Sequence, residues 1–263
     1  MNIEIVGYAL ALLVGISLGL IGSGGSILTV PILVYILKIE PFLATAYSLF
    51  IVGSTALVGG IQNAINRKVN YKLVVLFGLP SLLAVYVMRA YVLPLVPDTI
   101  IIGSLNLSKN VVLMVLFALV MFTSAMKMIR PKAITPNQTQ SQPQQTQLIL
   151  QGVLIGIVAG TVGAGGGFLI IPALILFANI SMKEAVGTSL FIIAIQSLFG
   201  FLGDVSNPLL DWNLLLTFSA ISIVGIFLGI FLTRYIPDNN LKKGFGYFVL
   251  LMALYIFSKE VFF

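Results

Sequence analysis

The chain has 263 residues, 59% hydrophobic and 8% charged, with a mean hydropathy of +1.11; no water-soluble domain needs that much apolar surface, so the composition specifies a polytopic α-helical membrane protein. It has no cysteine and no histidine, which excludes disulfides, thiolate catalysis, the usual zinc and haem ligands and a histidine proton relay. The net charge of +6 would suit nucleic acid, but in a membrane chain it reads as lysine and arginine on cytoplasmic loops.

In chain order, "MNIEIVGYAL" carries Glu4 where a signal peptide would be basic, so the first apolar stretch is expected to stay in the mature protein. Two apolar arms follow over 5–21 and 26–37, separated by "GSGG" (22–25). As helices they would be about 25 and 18 Å long, against a hydrocarbon core of roughly 30 Å. Glycine in a helix costs about 1 kcal/mol, and an unpaired backbone group in lipid costs several times more. A hairpin that returns to its own side, shielded by protein or a water-filled cavity, fits this better than one long helix. Three longer helices follow near 41–65, 71–95 and 109–129. The segment "PKAITPNQTQSQPQQTQ" (131–147) reads as a disordered cytoplasmic linker. The pattern then recurs: arms around "GAGGG" (163–167), and helices near 185–205, 213–235 and 242–260.

The recurrence holds in register. At an offset of 141 residues, Gly15, Gly19, Gly24, Gly25, Leu28 and Pro31 fall on Gly156, Gly160, Gly165, Gly166, Leu169 and Pro172, and Ser48–Ile51 recur as Ser189–Ile192. The expected organisation is a first repeat over 1–130, the linker over 131–147 and a second repeat over 148–263. Charge then chooses the relation between halves. If each hairpin returns to its starting side, the halves are inverted and the outside keeps only Lys38, Lys109 and Lys259. If each crosses once, Lys183, Arg234, Lys242 and Lys243 move outside and only Lys259 moves in. Because basic residues favour the cytoplasm, the inverted arrangement is preferred. The fold expected is an all-α polytopic membrane protein of two inverted repeats, each a glycine-interrupted hairpin followed by three membrane helices.

Helices restarting after the glycines would present unpaired N–H groups and a positive dipole end to an anion. Inverted halves would bring the two tips together near the bilayer midplane, so Gly22, Ser23, Gly24, Gly25 and Ser26 with Gly163, Gly165, Gly166 and Gly167 are the candidate site. Gly15, Gly19, Gly156 and Gly160 read instead as helix-packing glycines. A nucleotide phosphate loop is excluded, since no Gly-Lys-Ser/Thr follows. Ser48, Thr188 and Ser189, early in the helices after the hairpins, either face the tips or bond back to their own helices. Gln196, near mid-helix, is either glue between helices or a substrate contact. Arg89 is the one cation well inside an apolar run; it reads first as snorkelling to the outer end and second as part of an anion path. Asp204 is the one acidic residue close to an apolar run. With no other candidate proton carrier, a membrane potential worth about 2.3 kcal/mol per charge at 100 mV is expected to drive efflux.

On the doubled Gly-rich-to-Pro segments, "EAVGTSLFIIA" (184–194), the repeat and its linker, the chain resembles the TauE/SafE family of sulfite and organosulfonate exporters. The resemblance implies a carrier of small oxyanions in the cell inner membrane, with the lipid bilayer and a small anion as partners, no nucleic acid, no cofactor, and a homo-oligomer left open. An anion channel, or an importer of thiosulfate, sulfate or a carboxylate, is the alternative. An intramembrane enzyme is disfavoured because no pair of membrane-buried carboxylates is present.

Overall fold

The structure is a computed structural model, describing residues 3–22, 24–97, 99–102, 105–129, 145–162, 167–178, 180, 182–205, 209–232 and 238–262. Helix α1 (Ile3–Ile21) stops at Gly22, whose φ of +77° is left-handed and whose N–H closes a 2.7 Å bond to the Leu18 carbonyl. Helix α2 (Gly24–Pro31) continues as a π turn over Ile32–Ile36, so the helix changes its hydrogen-bond pattern directly after the residue that lacks an N–H. It folds back along α1. A methyl added at Gly25 would collide with Val14 and Leu18, and one at Gly7 would meet Leu37. The glycine break is therefore a hairpin turn, with α2 returning towards the start of α1.

Helix α3 (Pro41–Ile65) opens on its proline. Helix α4 spans Tyr71–Leu95; Asn70 caps it by accepting from the Leu73 N–H, and π turns over Val74–Gly78 and Met88–Val92 interrupt it. Strands β1 (Thr99–Ile102) and β2 (Leu105–Ser108) then pair antiparallel. This hairpin is a departure from the all-α expectation, and its β-branched Thr-Ile-Ile-Ile run explains it locally. Helix α5 (Lys109–Ile129) closes the first half.

The second half comprises α6 (Gln145–Val162), α7 (Gly167–Phe177), α8 (Met182–Phe201), α9 (Trp212–Leu232) and α10 (Asp238–Phe262). Residues 145–147, assigned above to the linker, already belong to α6; residues 131–144 lie outside the described residues. Among the described residues, six helices are long and apolar enough to cross a membrane: Pro41–Ile65, Tyr71–Leu95, Lys109–Met126, Gln145–Val162, Glu184–Phe201 and Trp212–Leu232. Val6–Ile21 and Gly25–Ile36 are shorter, as expected of arms, whereas α6 reaches spanning length.

Exchanging the halves maps the main helix contacts onto themselves. Helix α1 packs on α9 as α6 packs on α4; α3 lies on α9 as α8 lies on α4; α3 pairs with α8, α5 with α10, and α2 touches α7. Glycines set the directions. Gly15 abuts Ser222 and Gly225, and Gly19 abuts Gly229, so α1 and α9 run parallel. Gly152, Gly156 and Gly160 meet Phe77, Ser81 and Val85 in turn, so α6 and α4 run parallel too. Gly53 meets Leu198 while Gly60 meets Phe191, so α3 and α8, the same element of each half, run antiparallel. Of the six candidate spans these two are the most buried, and Leu49, Ile51 and Val52 join Leu190, Ile192 and Ile193 in the core. Small residues let backbones approach closely here, where lipid offers no hydrophobic drive for association.

Candidate anion site

The first glycine tip lies towards one end of the molecule. Gly22 presses on Val186, and the adjacent Gly187 abuts the Lys68 carbonyl in the loop between α3 and α4. Helix α1 follows α9 for most of its length, which carries the tip past the middle, contrary to the midplane position expected above. Gly25, pressed against α1, is a packing glycine; Thr29 Oγ1 donates to its carbonyl at 3.0 Å, and Ser26 is fully buried. Gly24 and the buried Gly167 open α2 and α7. Ser23, Gly163, Gly165 and Gly166 lie outside the described residues.

The hydroxyls divide. Ser189 donates to the Val186 carbonyl of its own helix at 2.9 Å. Thr188 Oγ1 accepts from the Asn70 N–H at 2.9 Å, while Asn70 Nδ2 donates to Glu184 Oε1 at 2.8 Å, a clasp that ties the α3–α4 loop to the start of α8. Gln196 Oε1 accepts from the Ser81 hydroxyl at 2.6 Å, which joins α8 to α4. Ser48 is fully buried, and its hydroxyl makes no hydrogen bond.

Arg89 does not snorkel. Its side chain is 0% exposed, covered by protein. It stands on the second π turn of α4, at the level where α6 ends: a methyl at Gly160 would reach the Met88 Cβ at 2.8 Å. Nε donates to Asp204 Oδ2 at 2.6 Å and Nη1 donates to Thr45 Oγ1 at 2.8 Å. The Thr45 hydroxyl donates in turn to the Phe42 carbonyl at 2.7 Å. The Phe42 ring lies 5.2 Å from the guanidinium carbon and 4.7 Å from Lys109 Nζ. Nη2 is buried without a hydrogen-bond partner. Asp204 sits in the turn past the end of α8; burial raises its pKa, and the charge and hydrogen bond of Arg89 pull the other way.

Sequence reasoning singled out Arg89 and set Asp204 apart as the one acidic residue close to an apolar run, but did not pair them and missed Thr45. The repeat held part of the signal: at the common offset Arg89, Asp204 and Thr45 fall on Ile230, Asn63 and Val186. The second half has uncharged residues at these three positions, and α9 shows no π turn where α4 has two. Non-α turns of this kind concentrate at functional sites.

Two cavities are also related by the repeat. One, of about 240 Å³, is lined by Asn70, Lys72, Leu73, Leu148 and Ala178 among others. The other, of about 140 Å³, is lined by their register mates Asp211, Asn213, Leu214, Gly7 and Leu37. The first carries a cation and the second a carboxylate.

A family model described as "Sulfite exporter TauE/SafE" matches residues 8–256. A "Probable membrane transporter protein" of Xylella fastidiosa is 31% identical over 252 residues, covering 93% of this chain and 91% of its own. A protein of the same description from Haemophilus influenzae is 28% identical over 262 residues, covering 94% and 95%. No solved structure matches.

Proposed function

Because this chain belongs to the sulfite exporter TauE/SafE family, a family of membrane transporters and not of enzymes, we propose that it carries small oxyanions, sulfite or organosulfonates, out of the cell by alternating access. The observation that carries this reading is Arg89: a guanidinium wholly inside the protein with Nη2 unpartnered. A buried donor without an acceptor is costly unless a ligand supplies one. Its full burial favours an occluded carrier over an open pore.

The halves are read as inverted repeats, supported by α3 and α8 packing antiparallel. The 66–70 loop and the linker are assigned to the cytoplasm, supported by Arg67, Lys68 and Lys72. On that orientation the Lys72 cavity opens inwards and attracts anions, while the Asp211 cavity opens outwards and repels them, a charge order suited to export.

The test is counterflow of labelled sulfite in proteoliposomes, competed by sulfate, thiosulfate and taurine. Saturable counterflow is expected in the wild type and its loss in a monodisperse Arg89→Gln protein. Full activity in Arg89→Gln would remove Arg89 from the site, and no counterflow of any of the four would refute the carrier.

A further inference from the structure

The charge of Arg89 is already answered by Asp204, so the pair is neutral as it stands. An oxyanion docking on Nη2 would place two negative charges beside one positive charge, inside a protein that spans a low-dielectric layer. Like charges held this close do not both stay ionised; one takes up a proton. An oxyanion of a strong acid cannot be the one that yields. Asp204 can.

We propose that Asp204 is a proton-binding residue, which takes one proton from solution as the anion docks on Arg89 and releases it as the anion leaves. The carboxylate becomes a carboxylic acid, its charge-assisted bond to Arg89 Nε weakens, and the freed guanidinium face turns to the substrate. Each anion of a strong acid, such as an organosulfonate, thus binds together with one proton. This rests on the carrier reading above and departs from the expectation that the membrane potential acts without a proton-binding residue.

A purely structural ion pair would be explained by the fold, yet the fold does not require it: the same place in the other half is built from Ile230, Asn63 and Val186. Asn63 there merely donates to the Gly59 carbonyl of its own helix. A structural pair would also use its donors fully, and Nη2 is left over. Tyr71 and Lys72 open α4, Lys183 and Glu184 open α8 and Lys127 closes α5; the other ionisable groups on the surrounding elements are Glu40 and Tyr47 on α3 and its cap, Tyr86 and Tyr91 on α4, Lys109 on α5, and Asp211 before α9. Among the described residues, Arg89 is the group joined to Asp204 in an ion pair; Lys109 stands across Phe42 and Tyr47 bonds the Asp211 N–H.

The experiment uses the purified full-length protein in weakly buffered detergent solution. Sulfate and isethionate, both fully ionised near neutral pH, are added while calorimetry follows binding and an indicator dye follows proton uptake. Wild type should take up roughly one proton per anion bound, Asp204→Asn should bind without uptake, and Asp204→Glu should restore it. Binding to wild type without proton uptake overturns the proposal whatever the variants do, as does uptake that persists in Asp204→Asn. If wild type binds neither these anions nor sulfite, the carrier reading fails and this inference falls with it. Unchanged binding in Arg89→Gln would move the site away from the pair and overturn the proposal alone.

Discussion

Across the α4–α8 contact the Ser81 hydroxyl donates a 2.6 Å hydrogen bond to Gln196 Oε1, with both side chains fully buried. Gln196 therefore joins α8 to α4, one half to the other. Removing the donor with Ser81→Ala should lower unfolding stability in detergent by about 1 kcal/mol, within the range measured for such bonds in membrane proteins. Counterflow per folded molecule should stay near wild type. A selective loss of flux with stability unchanged would return Gln196 to the substrate path.

The α1–α9 seam should not tolerate a methyl group. Gly15→Ala and Gly229→Ala both drive Cβ into facing backbone, so each should destabilise by roughly 1–3 kcal/mol. Gly25→Ala belongs with them, so loss of transport in that variant would report packing and not an anion site. Gly244 has nothing within 4 Å of an added methyl and lies in α10, so Gly244→Ala should stabilise by up to about 1 kcal/mol. Thermal unfolding of the four proteins side by side checks the contrast.

Lys72 and Asn213 are exposed register mates at the two cavities. The chain has no cysteine, so Lys72→Cys and Asn213→Cys can be labelled without background. With inverted halves they should react with an impermeant thiol reagent from opposite sides of the membrane. Reaction of both from one side would require parallel halves.

Lys72 should also matter for rate. Lys72→Glu should lower kcat/KM for efflux several-fold at low salt, and the deficit should shrink at high ionic strength as the field is screened. An effect independent of salt would assign Lys72 to packing.

Whatever depends on neighbours along the chain was legible in the order of the residues. Hydropathy and length gave α3, α4 and α5 their observed limits, Pro41–Ile65, Tyr71–Leu95 and Lys109–Ile129. Glycine chemistry marked the turn at Gly22, and register marked the two halves. The missed β1–β2 hairpin is the local exception, a short strand pair between two strongly apolar helices.

Tertiary structure decided which groups meet. Arg89 and Asp204 stand 115 residues apart and Thr45 stands 44 from Arg89, and no periodicity links positions at such separations. Their meeting depends on α4 packing alongside α8, on α3 crossing α8 in the opposite direction, and on a π turn that re-aims one side chain. Whether an arginine in a membrane helix reaches out to the headgroups or stays inside is settled by the distance to its nearest carboxylate. Coulomb energy in a low dielectric rises steeply as that distance shrinks, and only the packing of one half against the other sets it.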